Sequence, residues 1–159
     1  MNSYTMGFDG ALLGRGFWLY VWQITNDSRS VLYVGRTGDS SSPHASSPFN
    51  RIGQHLDARP KAKGNALARQ LKKEGLSPES CRFEMVAVGP IFPEQADMEA
   101  HRPVRDKAGA LESALADYLR AAGHRVIGTH PRAVSHDVKV FAQVCRLVGE
   151  KLGAPKQGS

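Results

Sequence analysis

The chain has 159 residues, of which 41% are hydrophobic and 23% are charged, a composition typical of one soluble globular domain. No run approaches the roughly 18 apolar residues of a membrane span, and residues 1–16 lack the basic and apolar regions of a signal peptide. The sequence therefore predicts no membrane span, and a cytoplasmic location is expected. The net charge of +6 favours polyanionic partners, above all nucleic acid or an acidic membrane surface.

The two cysteines, Cys81 and Cys145, are far apart and belong to no CxxC or Cys/His spacing. This argues against a disulfide scaffold or a zinc module and predicts two reduced, partly buried thiols. The chain also lacks GxGxxG and P-loop spacings, so nothing indicates a nucleotide-binding protein.

The first half of the chain is predicted to form an arm, a hairpin and a helix. Residues 1–16 are polar and glycine-rich and are expected to be a flexible N-terminal arm. Residues 17–24 and 30–35 are rich in aromatic and β-branched types, and the turn formers between them predict an antiparallel hairpin. Residues 38–48 read as a Ser/Pro-rich loop, and a helix is expected from Phe49.

The hairpin register decides where its two tyrosines lie. If Thr25 pairs with Ser30, Tyr20 lies opposite Gly35, and Tyr20 and Tyr33 share one face of the sheet. A slip of one residue would separate the two tyrosines.

The second half of the chain is predicted to be mainly helical. Residues 61–74 read as a second helix and residues 81–92 as a third strand. A further helix is expected from about Pro93, interrupted by Pro103, with a buried face formed by Leu111, Leu115, Tyr118 and Leu119. Ser135 is expected to cap a last helix whose apolar stripe is Val138, Phe141, Cys145, Val148 and Leu152.

These elements predict a mixed α/β (α+β) fold with the order β-β-α-α-β-α-α. The sheet is expected to be small, central, three-stranded and antiparallel, with helices flanking it. One domain would span residues 17–134, with the helix at 135–152 packed on it and a frayed tail at 153–159.

Several side chains in this arrangement carry chemistry that suits a phosphate ester. Arg51 and His55 are four residues apart and share one side of a helix, where a guanidinium fork matches phosphate oxygens. Arg36 follows Gly35 at a strand end, where a ligand can approach the backbone closely. Such an Arg/His pair is also common on solvated surfaces.

Glu112 lies at the edge of the apolar stripe of its predicted helix. An acid in that position either forms a salt bridge with a nearby arginine or holds a hard cation such as Mg²⁺. Both interpretations remain open from the sequence, as they do for Tyr20 and Tyr33, which suit either a sheet interior or a catalytic site.

In their order along the chain these residues resemble the GIY-YIG nuclease superfamily over about residues 17–130. The family pattern is a strand motif closed by tyrosine, a second motif ending in glycine, an arginine with a histidine four residues later, and a glutamate on a later helix. The matching residues are Trp18-Leu19-Tyr20, Tyr33-Val34-Gly35 followed by Arg36-Thr37, Arg51 with His55, and Glu112.

The chain departs from the family pattern at three places. Trp18 stands where the family has a glycine, and residues 38–48 lengthen the loop before Arg51. The asparagine expected after the glutamate helix is not evident, and Thr129 or His130 occupies that region instead.

The resemblance implies a DNA endonuclease with one divalent cation, Mg²⁺ or Mn²⁺, on Glu112. Tyr20 would act as general base or orient the attacking water, while Tyr33 and His55 would hold the water network. Arg51 would stabilise the phosphate charge. A homodimer would suit cleavage of both strands.

DNA is the partner that the resemblance implies, and basic side chains are expected to follow its phosphates. The residues assigned to this role are Arg36, Lys61, Lys63, Arg69, Lys72 and Lys73. The alternative is an inactive nucleic-acid-binding module on the same scaffold, and a third hypothesis is a basic protein-interaction domain.

Overall fold

The computed structural model describes residues 1–39, 42–57, 59, 61–62, 65–130 and 135–152. Within these ranges the chain folds into one sheet of four strands and four α-helices. The elements in chain order are β1 (Phe17–Thr25), β2 (Ser30–Arg36), α1 (Pro48–His55), α2 (Ala66–Lys73), β3 (Arg82–Phe92), α3 (Met98–Ala121), β4 (Val126–Ile127) and α4 (Val138–Gly149). In the described ranges no helix is long and apolar enough to cross a membrane.

The mixed α and β architecture is as predicted, but the sheet is not three-stranded. Its strand order is β3-β1-β2-β4, with antiparallel pairing of β1 to both β2 and β3. The fourth strand, β4, runs parallel to β2 and pairs only Leu32 with Val126 and Tyr33 with Ile127. Two residues are too few to show an alternating pattern, so the sequence predicts only a connection at these positions. The observed order is therefore β-β-α-α-β-α-β-α.

The predicted register of the hairpin is confirmed, with Tyr20 opposite Gly35. Asn26 closes the turn, because its side-chain oxygen accepts hydrogen bonds from the backbone N–H groups of Ser28 and Arg29. Such side-chain caps are the reason that asparagine favours tight turns.

The sheet lies between two helical layers, and β1 runs through the middle of both cores. On one face, α3 and α4 pack against Leu19, Val21, Leu32 and Val34. On the other face, residues of α1 and α2 pack against Tyr20, Trp22, Ile24, Val31 and Tyr33. The two tyrosines therefore share the α1/α2 face, as the register predicts.

Helix α3 is continuous, so the predicted interruption at Pro103 is wrong. The helix begins at Met98 rather than near Pro93, and its cap is Asp97, whose side chain accepts from the backbone N–H of Ala100 at 2.9 Å. Pro103 lies early in the helix and removes one backbone hydrogen bond. The buried face of the later turns offsets that loss by packing on the sheet.

Two residues that were predicted to be buried in the helices are exposed. Tyr118 on α3 is 45% exposed and Val138, the first residue of α4, is 73% exposed. The cap of α4 is Asp137 rather than Ser135, because the Asp137 side chain accepts from the backbone N–H groups of Lys139 and Val140. Of the predicted stripe, Val148 is buried, and Phe141, Cys145 and Leu152 are partly buried against the same core, which Val144 also joins.

Helix α2 is shorter than predicted, since it begins at Ala66 rather than at residue 61. Its inward residues, Leu67 and Leu71, are buried as expected. Helix α1 begins at Pro48, one residue early, and Ser47 caps it by accepting from the backbone N–H of Asn50.

Candidate functional site

Four of the five predicted site residues meet on the α1/α2 face of the sheet. The Tyr20 hydroxyl lies 2.5 Å from Nε2 of His55, and the rings of Tyr33 and His55 have their centroids 5.5 Å apart. Arg51 is close enough for its charge to act on both tyrosines. We refer to Tyr20, Tyr33, Arg51, His55 and Glu112 as the cleft residues.

Glu112, the fifth cleft residue, comes from the other helical layer. Helix α3 packs on the opposite face of the sheet, and Glu112 reaches the cleft at the end of β2, where it contacts Arg36. Its negative charge acts on Tyr33 and is acted on by Arg51. The five residues are therefore grouped around the Gly35 end of β2.

Gly35 is the residue that makes room for Tyr20. A Cβ atom on Gly35 would lie 2.5 Å from Cε2 of Tyr20 and 2.7 Å from its hydroxyl oxygen, which is closer than any carbon tolerates. The Tyr20 ring therefore lies directly over the backbone of Gly35. The glycine that ends the second motif is required by its cross-strand neighbour rather than by a turn.

The hydrogen bonds of Tyr20 determine the tautomer of His55. The Tyr20 hydroxyl donates to the carbonyl oxygen of Arg36 at 3.2 Å, so Nε2 of His55 carries the proton and donates to Tyr20. Nδ1 of His55 is then a bare acceptor, which is buried and has no partner among the described residues. Burial, assisted by the charge of Arg51, lowers the pKa of His55 to about 4, so the ring is neutral at pH 7.

Burial raises the pKa of the two tyrosines, whereas it lowers that of His55. It raises the pKa of Tyr20 well above its ordinary value, and Arg51 offsets only part of the rise. Burial, followed by the charge of Glu112, raises the pKa of Tyr33 to about 12. Both phenols are therefore protonated near neutral pH, and Tyr20 is 1% exposed whereas Tyr33 is partly exposed.

Arg51 is held by an acid that sequence inspection did not single out. Its Nη2 lies 2.9 Å from Oδ2 of Asp39, and its Nη1 donates to Oε1 of Gln54 at 3.0 Å. Asp39 belongs to the 38–48 loop, which looked like an insertion. Its one sequence signal is an acidic side chain three residues after Arg36, close to a predicted strand end.

The loop that carries Asp39 is held in place by His101 of α3. Both ring nitrogens of this buried histidine lie near backbone carbonyls, Nδ1 3.1 Å from Pro43 and Nε2 3.0 Å from Gly38. Gly38 has a φ of +77° and lies against the Phe17 ring, a conformation that favours glycine. The described part of the loop is therefore fixed at both its start and its middle.

Glu112 forms the salt bridge that the sequence had left open as one alternative. Its Oε2 lies 2.9 Å from Nη1 of Arg36, and each side chain is 18% exposed. Burial raises the pKa of Glu112 to about 7, although Arg36 opposes the rise. Arg36, which was assigned to DNA contact, is turned towards Glu112.

Glu112 is the carboxylate of the cleft that could hold a metal ion. Within the described ranges, no group of three or more His, Cys, Asp or Glu side chains could hold a metal ion. Mg²⁺ keeps several waters and often takes only one or two carboxylates, and Glu112 offers such a carboxylate beside the cleft. A cage made only of protein ligands is thus not what these residues provide.

His130 supplies a polar contact to β2 in the region where the family has its asparagine. Arg120 can only donate, so Nδ1 of His130 accepts from it at 3.1 Å and Nε2 donates to the carbonyl oxygen of Val34 at 3.1 Å. The neighbouring Gly128 packs against the Tyr33 ring. His130 thus supports the strand beside Tyr33, whereas Thr129 is exposed.

Trp18 is accommodated by a glycine on the next strand. It is 5% exposed, and a Cβ atom on Gly89 of β3 would lie 2.7 Å from Cδ2 of its ring. The large residue at the family's glycine position therefore fills space that Gly89 leaves open.

The predicted phosphate-contacting residues lie partly beside the cleft. Arg69, Lys72 and Lys73 of α2 are exposed, and Arg69 is near enough for its charge to act on Tyr33. Lys61 is exposed but precedes α2, and Lys63 lies outside the described residues.

No protein-family model matches the chain, and neither a curated protein nor a solved structure does. The resemblance to the GIY-YIG superfamily therefore depends on the motif residues and on their arrangement in this chain.

Proposed function

We propose that this protein is a metal-dependent endonuclease that hydrolyses DNA phosphodiester bonds through a single-metal Tyr/Arg/His/Glu site. The observation that supports it is the meeting of the five cleft residues, which come from β1, β2, α1 and α3. Tyr20 and Glu112 are 92 positions apart in the numbering, yet both contact Arg36.

Glu112 would hold Mg²⁺ or Mn²⁺ through its carboxylate. When bound, the cation supplies Lewis-acid stabilisation of the charge on the leaving oxygen. Arg51 would stabilise the phosphate, because its guanidinium can pair with two phosphate oxygens in one plane. In the free protein Asp39 pairs with one edge of that guanidinium.

Tyr20 orients the water network rather than removing a proton from the attacking water. Its raised pKa makes the phenolate scarce near neutral pH, and its hydroxyl is held between Arg36 and His55. Tyr33, which is more exposed, is the tyrosine that would contact the water directly. Catalysis would then depend mainly on positioning and charge stabilisation.

Helix α2 would lie along the DNA backbone beside the cleft. Exposed Arg69, Lys72 and Lys73 suit contacts to phosphates, which carry no sequence information but weaken with salt. The cleft would then cut the DNA strand, and this helix would supply most of the affinity for DNA.

An inactive nucleic-acid-binding module on the same scaffold is the second candidate function. The observation that favours it is that Arg51 of the cleft and the neighbouring Arg36 already pair with acids, Arg51 with Asp39 and Arg36 with Glu112. Such a protein would bind DNA through α2 without cutting it.

Nicking of a supercoiled plasmid in Mg²⁺ or Mn²⁺ tests the proposal. We expect metal-dependent nicking by the wild type and a loss of at least about 100-fold in Glu112→Gln, the size seen when one charge-stabilising group is removed. The matched control is Glu99→Gln, which neutralises an exposed acid on the same helix and should nick normally.

The remaining outcomes separate the alternatives. Equal nicking by the wild type and Glu112→Gln would contradict the metal-ligand role. DNA binding without nicking in either metal would indicate the binding module, and a protein that does neither would indicate a protein-interaction domain.

A further inference from the structure

We propose that Arg36 is a positioning residue that holds Glu112 in the free protein and moves to a phosphate oxygen of the substrate when a divalent cation binds Glu112. Cation and DNA would then bind cooperatively. The inference rests on the proposed function, since it concerns the same site and the same cation.

The first argument is that guanidinium and cation compete for one carboxylate. Nη1 of Arg36 lies 2.9 Å from Oε2 of Glu112, within the space that a cation on that oxygen needs. Two positive charges at that distance repel each other strongly in a partly buried site. A cation that binds Glu112 through this oxygen therefore displaces the Arg36 guanidinium.

The second argument is that Arg36 is poorly satisfied where it is. Among the described residues it is joined to Glu112 by one hydrogen bond rather than by a bidentate pair, and its Nε is buried without a partner. A phosphate can accept two parallel hydrogen bonds from a guanidinium. The move to a substrate phosphate would pair donors that the free protein leaves unused.

The third argument is that the side chain can move while the backbone stays. Arg36 pairs with Leu19 in the sheet, and its carbonyl oxygen accepts from the Tyr20 hydroxyl. On α3, Gly109 faces the guanidinium, and a Cβ there would lie 3.2 Å from Nη1. Glycine at position 109 thus leaves space beside the guanidinium, and any other residue would reduce that space.

Cooperativity follows from these contacts. Without DNA, a cation must break the ion pair and leave Arg36 with no acid. With DNA, the phosphodiester offers Arg36 a new partner, so each ligand favours the other by the same factor. A purely structural Arg36 would add nothing to the coupling that comes from the cation's own attraction to the phosphate.

The test measures Mn²⁺ binding by electron paramagnetic resonance, with and without a DNA duplex, in a Tyr20→Phe background, in which we expect nicking to be at least about 100-fold slower. With Arg36 present, we expect DNA to tighten Mn²⁺ binding by about tenfold, a typical coupling. In Arg36→Gln, Mn²⁺ alone should bind about tenfold more tightly, and DNA should tighten Mn²⁺ binding by less than it does in the arginine protein.

Two controls accompany this variant. Arg15→Gln breaks an arginine–glutamate pair of similar length, 2.7 Å to Glu94, at an exposed position, and should leave Mn²⁺ binding unchanged. Arg36→Lys keeps the positive charge and should bind Mn²⁺ alone as weakly as the arginine protein does, which also covers the case in which Arg36→Gln does not fold.

Two results would overturn the inference while leaving the proposed function intact. One is unchanged or weaker Mn²⁺ binding by folded Arg36→Gln when the wild type still nicks DNA. The other is Mn²⁺ binding by Arg36→Lys that is tighter than in the arginine protein. Failure of the wild type to bind Mn²⁺ or to nick DNA would instead reject the proposed function itself.

Discussion

The hydroxyl of Tyr20 lies 2.5 Å from Nε2 of His55, although the two residues are 35 positions apart. The contact joins the central strand β1 to the last residue of α1. Because Tyr20 also donates to the carbonyl oxygen of Arg36, one hydroxyl links α1 to the end of β2. The cleft is therefore organised around a buried hydrogen bond rather than around an exposed side chain.

Tyr20→Phe tests that hydrogen-bonded hydroxyl. The ring still fills its place over Gly35, but the His55 N–H and the Arg36 carbonyl lose their partner. We expect nicking to fall by at least about 100-fold and unfolding free energy by about 1–3 kcal/mol, with DNA affinity unchanged.

The matched control for this change is Tyr118→Phe, which alters an exposed tyrosine on α3. It should retain both nicking and stability, as judged by plasmid assay and urea unfolding. Wild-type nicking by Tyr20→Phe would contradict the orienting role.

Gly35→Ala should destabilise the protein, since the added Cβ would lie 2.5 Å from the Tyr20 ring. Overpacking of this kind costs about 1–3 kcal/mol, and the displaced Tyr20 should abolish nicking. Gly53→Ala in α1 is the control, because nothing lies within 4 Å of the new Cβ and alanine favours a helix by about 1 kcal/mol. Urea unfolding should show a lower unfolding free energy than the wild type for Gly35→Ala and a higher one for Gly53→Ala. Changes in the same direction would refute the steric argument.

His55 should make stability depend on pH in a defined window. Its pKa is about 4 in the folded protein against about 6.5 when unfolded, so the unfolded chain binds the extra proton. The contribution of neutral His55 to the unfolding free energy is therefore complete above pH 6.5. It is lost as pH falls through 6.5 towards 4, by about 3 kcal/mol in total.

The measurement is the unfolding free energy of wild type and His55→Gln between pH 4 and pH 7. The wild-type value should fall more steeply with acid than that of the variant, whereas His44→Gln at an exposed position should follow the wild type. Parallel curves for wild type and His55→Gln would show that His55 is not held neutral by burial.

Asp39→Asn should tighten DNA binding beyond the effect of one added positive charge. Asp39 pairs with Arg51 at 2.9 Å, and its removal frees the guanidinium for phosphate. Asp106→Asn makes the same change in net charge at a surface pair with Arg105. Fluorescence anisotropy should show at least about threefold tighter binding for Asp39→Asn than for the control, and equal affinities would mean that Asp39 does not restrain Arg51.

Replacing the exposed cations of α2 by glutamine should weaken DNA binding and lower its salt dependence. Each lost phosphate contact reduces the slope of log affinity against log salt by about 0.9. The variant changes Arg69, Lys72 and Lys73. The control changes three basic residues on or beside α4, on the other side of the sheet, namely Lys139, Arg146 and Lys151.

A slope that falls equally in both triple variants would indicate general charge attraction and not a contact through α2. Titrations by anisotropy at four or more salt concentrations give the slopes directly. DNA affinity that is unaffected by the α2 changes would remove this helix from the proposed interface.

Some parts of the site follow from spacing along the chain. Side chains alternate between the two faces of a strand, so the sequence predicts Tyr20 and Tyr33 on one face once the register is known. The turn residues set that register, in which Tyr20 lies opposite Gly35. The period of a helix placed Arg51 and His55 near each other. These inferences held because each depends on neighbours that are close in sequence.

Other features were missed because local patterns do not encode them. Strand β4 is only two residues long, so its pairing with β2 is decided by where the end of α3 returns the chain. Packing on the sheet keeps α3 continuous through Pro103, where the sequence predicts an interruption. Packing also leaves Tyr118 and Val138 exposed, although the apolar periodicity of their helices predicts that both are buried.

By itself the sequence determined which chemical groups the protein has and which of them share a strand face or a helix side. Only the tertiary structure decided that Tyr20 bonds His55, that Arg36 pairs with Glu112 across 76 positions, and that Asp39 holds Arg51. The physical reason is that periodicity sets the direction of a side chain from its own backbone. The partner it meets depends on how the helical layers and the sheet pack together.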